Sequence, residues 1–184
     1  MKRIQLVPIG EVPAHLLERL RAQLPEYFPA LCQIAPPQPV PSYSFNASRE
    51  QYCSTEILAR LGALADSSRC NVLGVACFDL YIPILTFVFG EAQLDGSSAL
   101  VSIHRLRQEV YGFPPDPDLL QDRLLKEAVH ELGHSLGLTH CDDRTCVMAS
   151  SHSVEWIDLK SSDFCPSCRV RASECSTRKT RITV

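Results

Sequence analysis

The sequence predicts an α/β (α+β) fold: a twisted, mixed but mainly parallel sheet, a long helix carrying a histidine cluster, and a small C-terminal segment stapled by metal. Three observations predict it. The N-terminal half reads strand, helix, strand, helix, strand, which favours a parallel sheet with helices packed on it. Two further strand patterns meet at Asp95-Gly96, a hairpin signal that adds an antiparallel strand to the sheet. Beyond residue 118 an apolar stripe at helical spacing runs into His130-Glu131-Leu132-Gly133-His134, and four cysteines follow in residues 141–168.

Taken in order, Lys2 to Ile9 is rich in Ile, Leu and Val and reads as a strand. Leu16, Leu17, Leu20 and Leu24 recur at helical spacing between Pro13 and Pro25, so a helix is expected over 13–24. Ala30 to Ile34 is a second strand, and Pro36, Pro37, Pro39 and Pro41 make an extended loop after it. Asn46 or Ser48 is positioned to cap a helix from Arg49 to Leu64, with Tyr52, Ile57, Leu58 and Leu61 facing inward. Val72 to Leu80 is nearly continuous in apolar residues, as expected of a strand buried on both faces. Thr86 to Leu94 and Ala99 to Arg105 form the hairpin. The last long helix runs from Asp118 to Leu136, with Leu120, Leu124, Leu125, Ala128, Val129, Leu132 and Leu136 as its buried stripe. Asp116 and Asp118 suit its positive N-terminal end.

Within that helix His130 and His134 are four residues apart, so both side chains lie on one face and can hold one Zn²⁺. Gly137 can take a left-handed conformation, end the helix and let the chain bring His140 back as a third ligand. Three protein ligands leave a fourth position open, the arrangement of catalytic zinc. Glu131 is adjacent without being a ligand, where a carboxylate can act as general base on a water at that position. Met148 follows in a turn-like context. Cys141, Cys146, Cys165 and Cys168 form two close pairs with the composition of a closed tetrahedral Zn²⁺ site; a redox role for Cys165-x-x-Cys168 is the alternative. Cys32, Cys53, Cys70 and Cys77 lie in apolar segments and read as core thiols, and Cys175 as a free thiol.

His130-Glu131-x-x-His134-x-x-Gly137-x-x-His140-Cys141, then Cys146-Val147-Met148, then Cys165-x-x-Cys168, resembles the archaemetzincins, zinc metallopeptidases of the metzincin clan. The motif spans residues 130–168. The resemblance implies a metzincin-like zincin fold with two zinc ions, one catalytic on the three histidines and one structural on the four cysteines. It makes Met148 the Met-turn beneath the catalytic site. It also implies a soluble enzyme without the inhibitory pro-segment of secreted metzincins, with aminopeptidase-like cleavage in some members. Phe89-Gly90-Glu91-Ala92 resembles the edge strand against which metzincins lay the substrate backbone.

The remaining features bound the reading. With 184 residues and 45% hydrophobic content, the chain suits one domain or one domain plus a small appendage. Residues 1–140 are expected as a sheet and helix subdomain that includes the histidine helix. Residues 141–184 are expected as a small subdomain with Met148 and the cysteine site. A net charge of −3 offers no case for nucleic acid or anionic membrane, and Arg178-Lys179-Thr180-Arg181 reads as a solvated end. No segment has the pattern of a signal peptide or a membrane span, so a cytoplasmic monomer is expected, acting on peptides or unfolded protein. Two alternatives stand beside peptide hydrolysis. One is a proteolytically inactive zinc module that binds peptides; the other is a hydrolase of some other amide. His104, Arg105, Tyr111 and His152 are noted without a role.

Overall fold

The computed structural model describes residues 2–65 and 70–181, with side chains between Arg3 and Cys175 in those ranges. The chain enters as β1 (Lys2–Ile9), α1 (Ala14–Gln23) and β2 (Ala30–Ile34). Two short strands, β3 (Phe45–Asn46) and β4 (Gln51–Cys53), precede α2 (Ser54–Gly62). Then come β5 (Cys70–Ala76), β6 (Leu80–Tyr81), β7 (Gly90–Ala92) and β8 (Ser98–Ser102). The helices α3 (Pro117–Ser135), α4 (Val154–Leu159) and α5 (Pro166–Arg181) complete it.

The main sheet has the order β2-β1-β5-β8-β7. Four strands are parallel, and β7 closes one edge antiparallel to β8, with Gly90 opposite Val101 and Ala92 opposite Ala99. Alternation along each strand divides the core in two. Ile4, Leu6, Leu73, Val75, Ala99 and Val101 face α1 and α3, whereas Val7, Ile9, Val72, Ala76 and Leu100 face α2. Gly74 lets α2 sit close: a Cβ there would lie 2.6 Å from a Leu61 methyl and 2.9 Å from one of Leu100. The first of these cores continues through Val147, Met148, Phe164 and Cys168, so the segment after α3 packs on the same helix as the sheet.

The parallel sheet, its antiparallel edge and the long helix match expectation; several boundaries differ for identifiable reasons. The helix expected from Arg49 begins only at Ser54. Asn46 does accept hydrogen bonds, from Ser48 N at 3.1 Å and Arg49 N at 3.3 Å, but they close a turn rather than cap a helix. Tyr52 then pairs with Leu80 in a small second sheet, β3-β4-β6, where its ring lies 4.2 Å from Phe78. The long strand expected over 72–80 stops at Ala76, because Asp79 turns away to meet Arg105 at 2.6 Å. The same ion pair ends β8 at Ser102, short of the expected Arg105. The 86–94 strand shrinks to Gly90–Ala92, its first half making only a bridge from Val88 to Leu80. The proline segment is extended as expected, with Gln38 bonded in parallel to Pro8 and Gly10. The backbone of α5 is helical to Arg181, and the solvated end expected of Arg178 to Arg181 concerns side chains outside the described residues. Among the described residues no helix is long and apolar enough to cross a membrane.

Candidate metal-dependent active site

The site is built on the C-terminal half of α3. Asp116 starts this helix, accepting from Asp118 N at 3.1 Å and Leu119 N at 2.9 Å, with Pro117 in its first turn. A Schellman motif ends it. Gly137 takes φ +99°, its N–H donates to His134 O at 2.8 Å, and Leu138 N donates to Gly133 O at 3.1 Å. The turn reverses the chain and brings His140 alongside, its ring centroid 4.9 Å from that of His134 and 5.3 Å from that of His130.

The three histidines each offer a ring nitrogen, and these atoms lie within 4.8 Å of one another. The orientation of two rings is fixed from behind. His130 Nδ1–H donates to Val147 O at 2.8 Å and His134 Nδ1–H to Leu138 O at 2.7 Å. Both Nε2 atoms therefore carry lone pairs, and they face each other at 3.1 Å. Two lone pairs so close repel unless a cation sits between them, and the separation is close to that of two nitrogens bound to one zinc at about 2.1 Å. Burial holds all three imidazoles below their usual proton affinity, His130 most strongly, and the Lys160 ammonium acts in the same direction on each. Neutral imidazoles are the ligand form. The donor set fits zinc.

Glu131 is fully buried beside this cluster. Burial raises its carboxyl well above the usual range; Glu127 and Glu91 add to the effect, and Lys160 opposes it. Its carboxylate lies against the sheet edge, since a Cβ on Gly90 would sit 2.7 Å from Glu131 Oε1. Beneath the helix, Met148 is wholly buried, and a Cβ on Gly133 would meet its sulfur at 2.5 Å. The missing side chains of Gly90 and Gly133 thus make room for the carboxylate and for the methionine.

The four C-terminal cysteine sulfurs also converge within 4.8 Å, so Cys165 and Cys168 are part of a four-sulfur cluster rather than an isolated pair. Met148 N and Cys165 N point at Cys146 Sγ at 3.4 and 3.3 Å, Cys168 N at Cys165 Sγ at 3.5 Å, and Arg171 at Cys168 Sγ at 3.0 Å. Burial raises the Cys168 thiol to about 12 and raises Cys146, whereas hydrogen bonds, that from Cys168 N first, lower Cys165. Cys32, Cys53 and Cys70 are buried as expected, and Cys77 and Cys175 partly so.

Of the residues noted without a role, Arg105 pairs with Asp79 and takes the Tyr111 hydroxyl on its carbonyl; His104 lies in the field of the same pair. His152 lies near enough to His140 to lower its proton affinity, and its ring packs on Trp156. Sequence reasoning passed over Glu127 and Lys160, a buried ion pair of 2.8 Å behind the histidines. The one available signal was Glu127 itself, one helical turn before Glu131 on the buried face.

The model of peptidase family M54 matches residues 29–173. The chain belongs to peptidase family M54, the archaemetzincins. It is 46% identical over 166 residues to the archaemetzincin of Methanocaldococcus jannaschii, covering 90% of each chain. To that of Pyrococcus furiosus it is 39% identical over 177 residues, covering 93% of this chain and 92% of the other. Among solved structures, archaemetzincin from Archaeoglobus fulgidus complexed with malonate superposes with a TM-score of 0.81 at 40% identity, over 92% of this chain and 99% of that one. A zinc-dependent peptidase from Methanocorpusculum labreanum superposes at 0.85 and 31% identity, with the same coverage. The chain is accordingly a zinc metallopeptidase.

Proposed function

We propose that His130, His134 and His140 hold the catalytic zinc, that Cys141, Cys146, Cys165 and Cys168 hold a structural zinc, and that Glu131 is the general base of peptide hydrolysis. The observation that carries this reading is the convergence of three imidazoles beside one buried carboxylate. Zinc bound there supplies a Lewis acid that acidifies a water and polarises the scissile carbonyl. Glu131 removes the proton of the attacking water and passes that proton to the departing amine. The Val147 and Leu138 carbonyls keep His130 and His134 in the tautomer that presents Nε2. The edge strand β7 offers its unpaired side to an extended peptide, which sets the scissile bond over Glu131. Short or unfolded peptides are the substrates we propose, with cleavage at the amino end, as the family resemblance implies.

The test is digestion of a diverse peptide library by the zinc-loaded chain and by Glu131→Gln, read by mass spectrometry. Single residues released from amino ends by the wild type alone are expected. Internal cuts would replace the aminopeptidase mode with an endopeptidase mode. Equal cleavage by Glu131→Gln would remove Glu131 from its role.

A further inference from the structure

Lys160 and Glu127 form a buried ion pair that no step of hydrolysis uses. Their side chains are 1% and 4% exposed, with Nζ 2.8 Å from Glu127 Oε1. Both ions have left water to reach this place, and an apolar pair of similar volume commonly serves stability as well or better. Stability alone does not account for the pair; its connections do. Lys160 also donates to Ala149 O at 3.3 Å. Two residues earlier, Val147 O accepts from His130 Nδ1 at 2.8 Å. The backbone on either side of Met148 is therefore tied to α3 twice, once through His130 and once through Lys160 to Glu127. Glu127 lies on α3 one turn before His130.

We propose that Lys160 is a positioning residue for the histidine site: its ammonium, anchored on Glu127, holds the Met148 turn so that Val147 O meets His130 and fixes that imidazole. Lys160 is too buried to touch substrate, so it acts through its neighbours, and its hydrogen-bonded route runs through the Met148 turn to His130. The inference rests on the reading of the three histidines as metal ligands. Partners that orient a ligand in this way affect metal affinity about 10–100-fold.

The test uses the full chain and the double variant Glu127→Leu/Lys160→Met, which removes both charges and leaves no unpaired ion. Co²⁺ is the probe, because cobalt on thiolates gives intense near-ultraviolet bands that cobalt on imidazoles lacks, so the two sites are read separately against a competing chelator. The double variant should melt near the wild-type temperature. Its histidine site should bind cobalt about 10–100-fold more weakly, with the thiolate site far less affected. With zinc restored to saturation, kcat should fall and KM should hold. Wild-type cobalt affinity and kcat in a folded double variant would overturn the proposal. Absence of histidine-site cobalt in the wild type would instead overturn the reading of the ligands. If the apolar double variant does not fold, Glu127→Gln/Lys160→Gln carries the same expectation. Its shorter side chain at 160 loses the Ala149 contact while leaving no charge buried.

Discussion

Gly133 sits in the interior of a helix, where glycine costs about 1 kcal/mol relative to alanine. Alanine is nonetheless the wrong residue here. Its Cβ would lie 2.5 Å from the sulfur of Met148, a side chain with no exposure and little room to move. Overpacking of that kind costs about 1–3 kcal/mol, more than the helix gains. Gly133→Ala should therefore lower the stability seen in urea unfolding by up to about 2 kcal/mol; a stabilised variant would mean that Met148 yields freely. Gly90 makes the same argument for chemistry. A Cβ at this position would press on Leu100 O of β8 at 2.6 Å and on Glu131 Oε1 at 2.7 Å. Displacing a reacting group by about 1 Å costs on the order of 10²-fold in rate. Gly90→Ala should lose about that much kcat with zinc content unchanged, and full activity would show that Glu131 works from elsewhere.

At the scale of elements, the start and stop of α3 were legible because both signals are local. Asp116 before Pro117 and Gly137 after the histidine pair act within one turn of their own positions. The convergence of the three histidines and of the four cysteines was legible for the same reason, since they are spaced by helix geometry or by short loops. β4 was hidden because Asn46 mimics a helix cap while making a turn, and because Tyr52 finds its partner, Leu80, only in three dimensions. The reach of β5 was overstated because Asp79 reads as one polar residue in an apolar run until Arg105 is placed beside it. That pair yields a pH prediction. Burial would raise the Asp79 carboxyl, but hydrogen bonds from Arg105 and Gln51, with the guanidinium charge, hold it below its ordinary 3.8. A depressed folded value means that the ionised carboxylate stabilises the fold above the unfolded value of 3.8, and that this contribution is lost as pH falls through the folded one. Asp79→Asn should thus unfold at lower urea than the wild type at pH 6. The gap should narrow on acidification below about pH 4. A gap that stays constant with pH would place the stabilisation in the amide-compatible hydrogen bonds rather than in the charge.

Over the whole molecule, the histidine cluster and the cysteine cluster share one short piece of chain. Cys141 follows His140 directly, and Cys146 lies two residues before Met148. Cys141 N donates to Met148 O at 3.0 Å, which closes residues 141–148 into a loop between the sites. The four-cysteine cluster therefore fixes the approach of the third histidine and the turn beneath the other two. Phe164 and Cys168 in turn pack into the core that α3 shares with the sheet. Sites joined by so little chain should be coupled in binding, and coupling in equilibrium affinity is reciprocal. A coupling of about 1–3 kcal/mol, or about 5–150-fold, is the usual scale. Cys165→Ser/Cys168→Ser should weaken cobalt at the histidine site by a factor in that range. His134→Ala, which empties the histidine site from the helix side without touching the loop, should weaken cobalt at the thiolate site by the same factor, relative to wild type with its histidine site filled. Equal factors in the two directions would establish one cooperative metal-binding unit. Thiolate-site affinity unmoved by His134→Ala would show two independent sites that only happen to be neighbours in sequence.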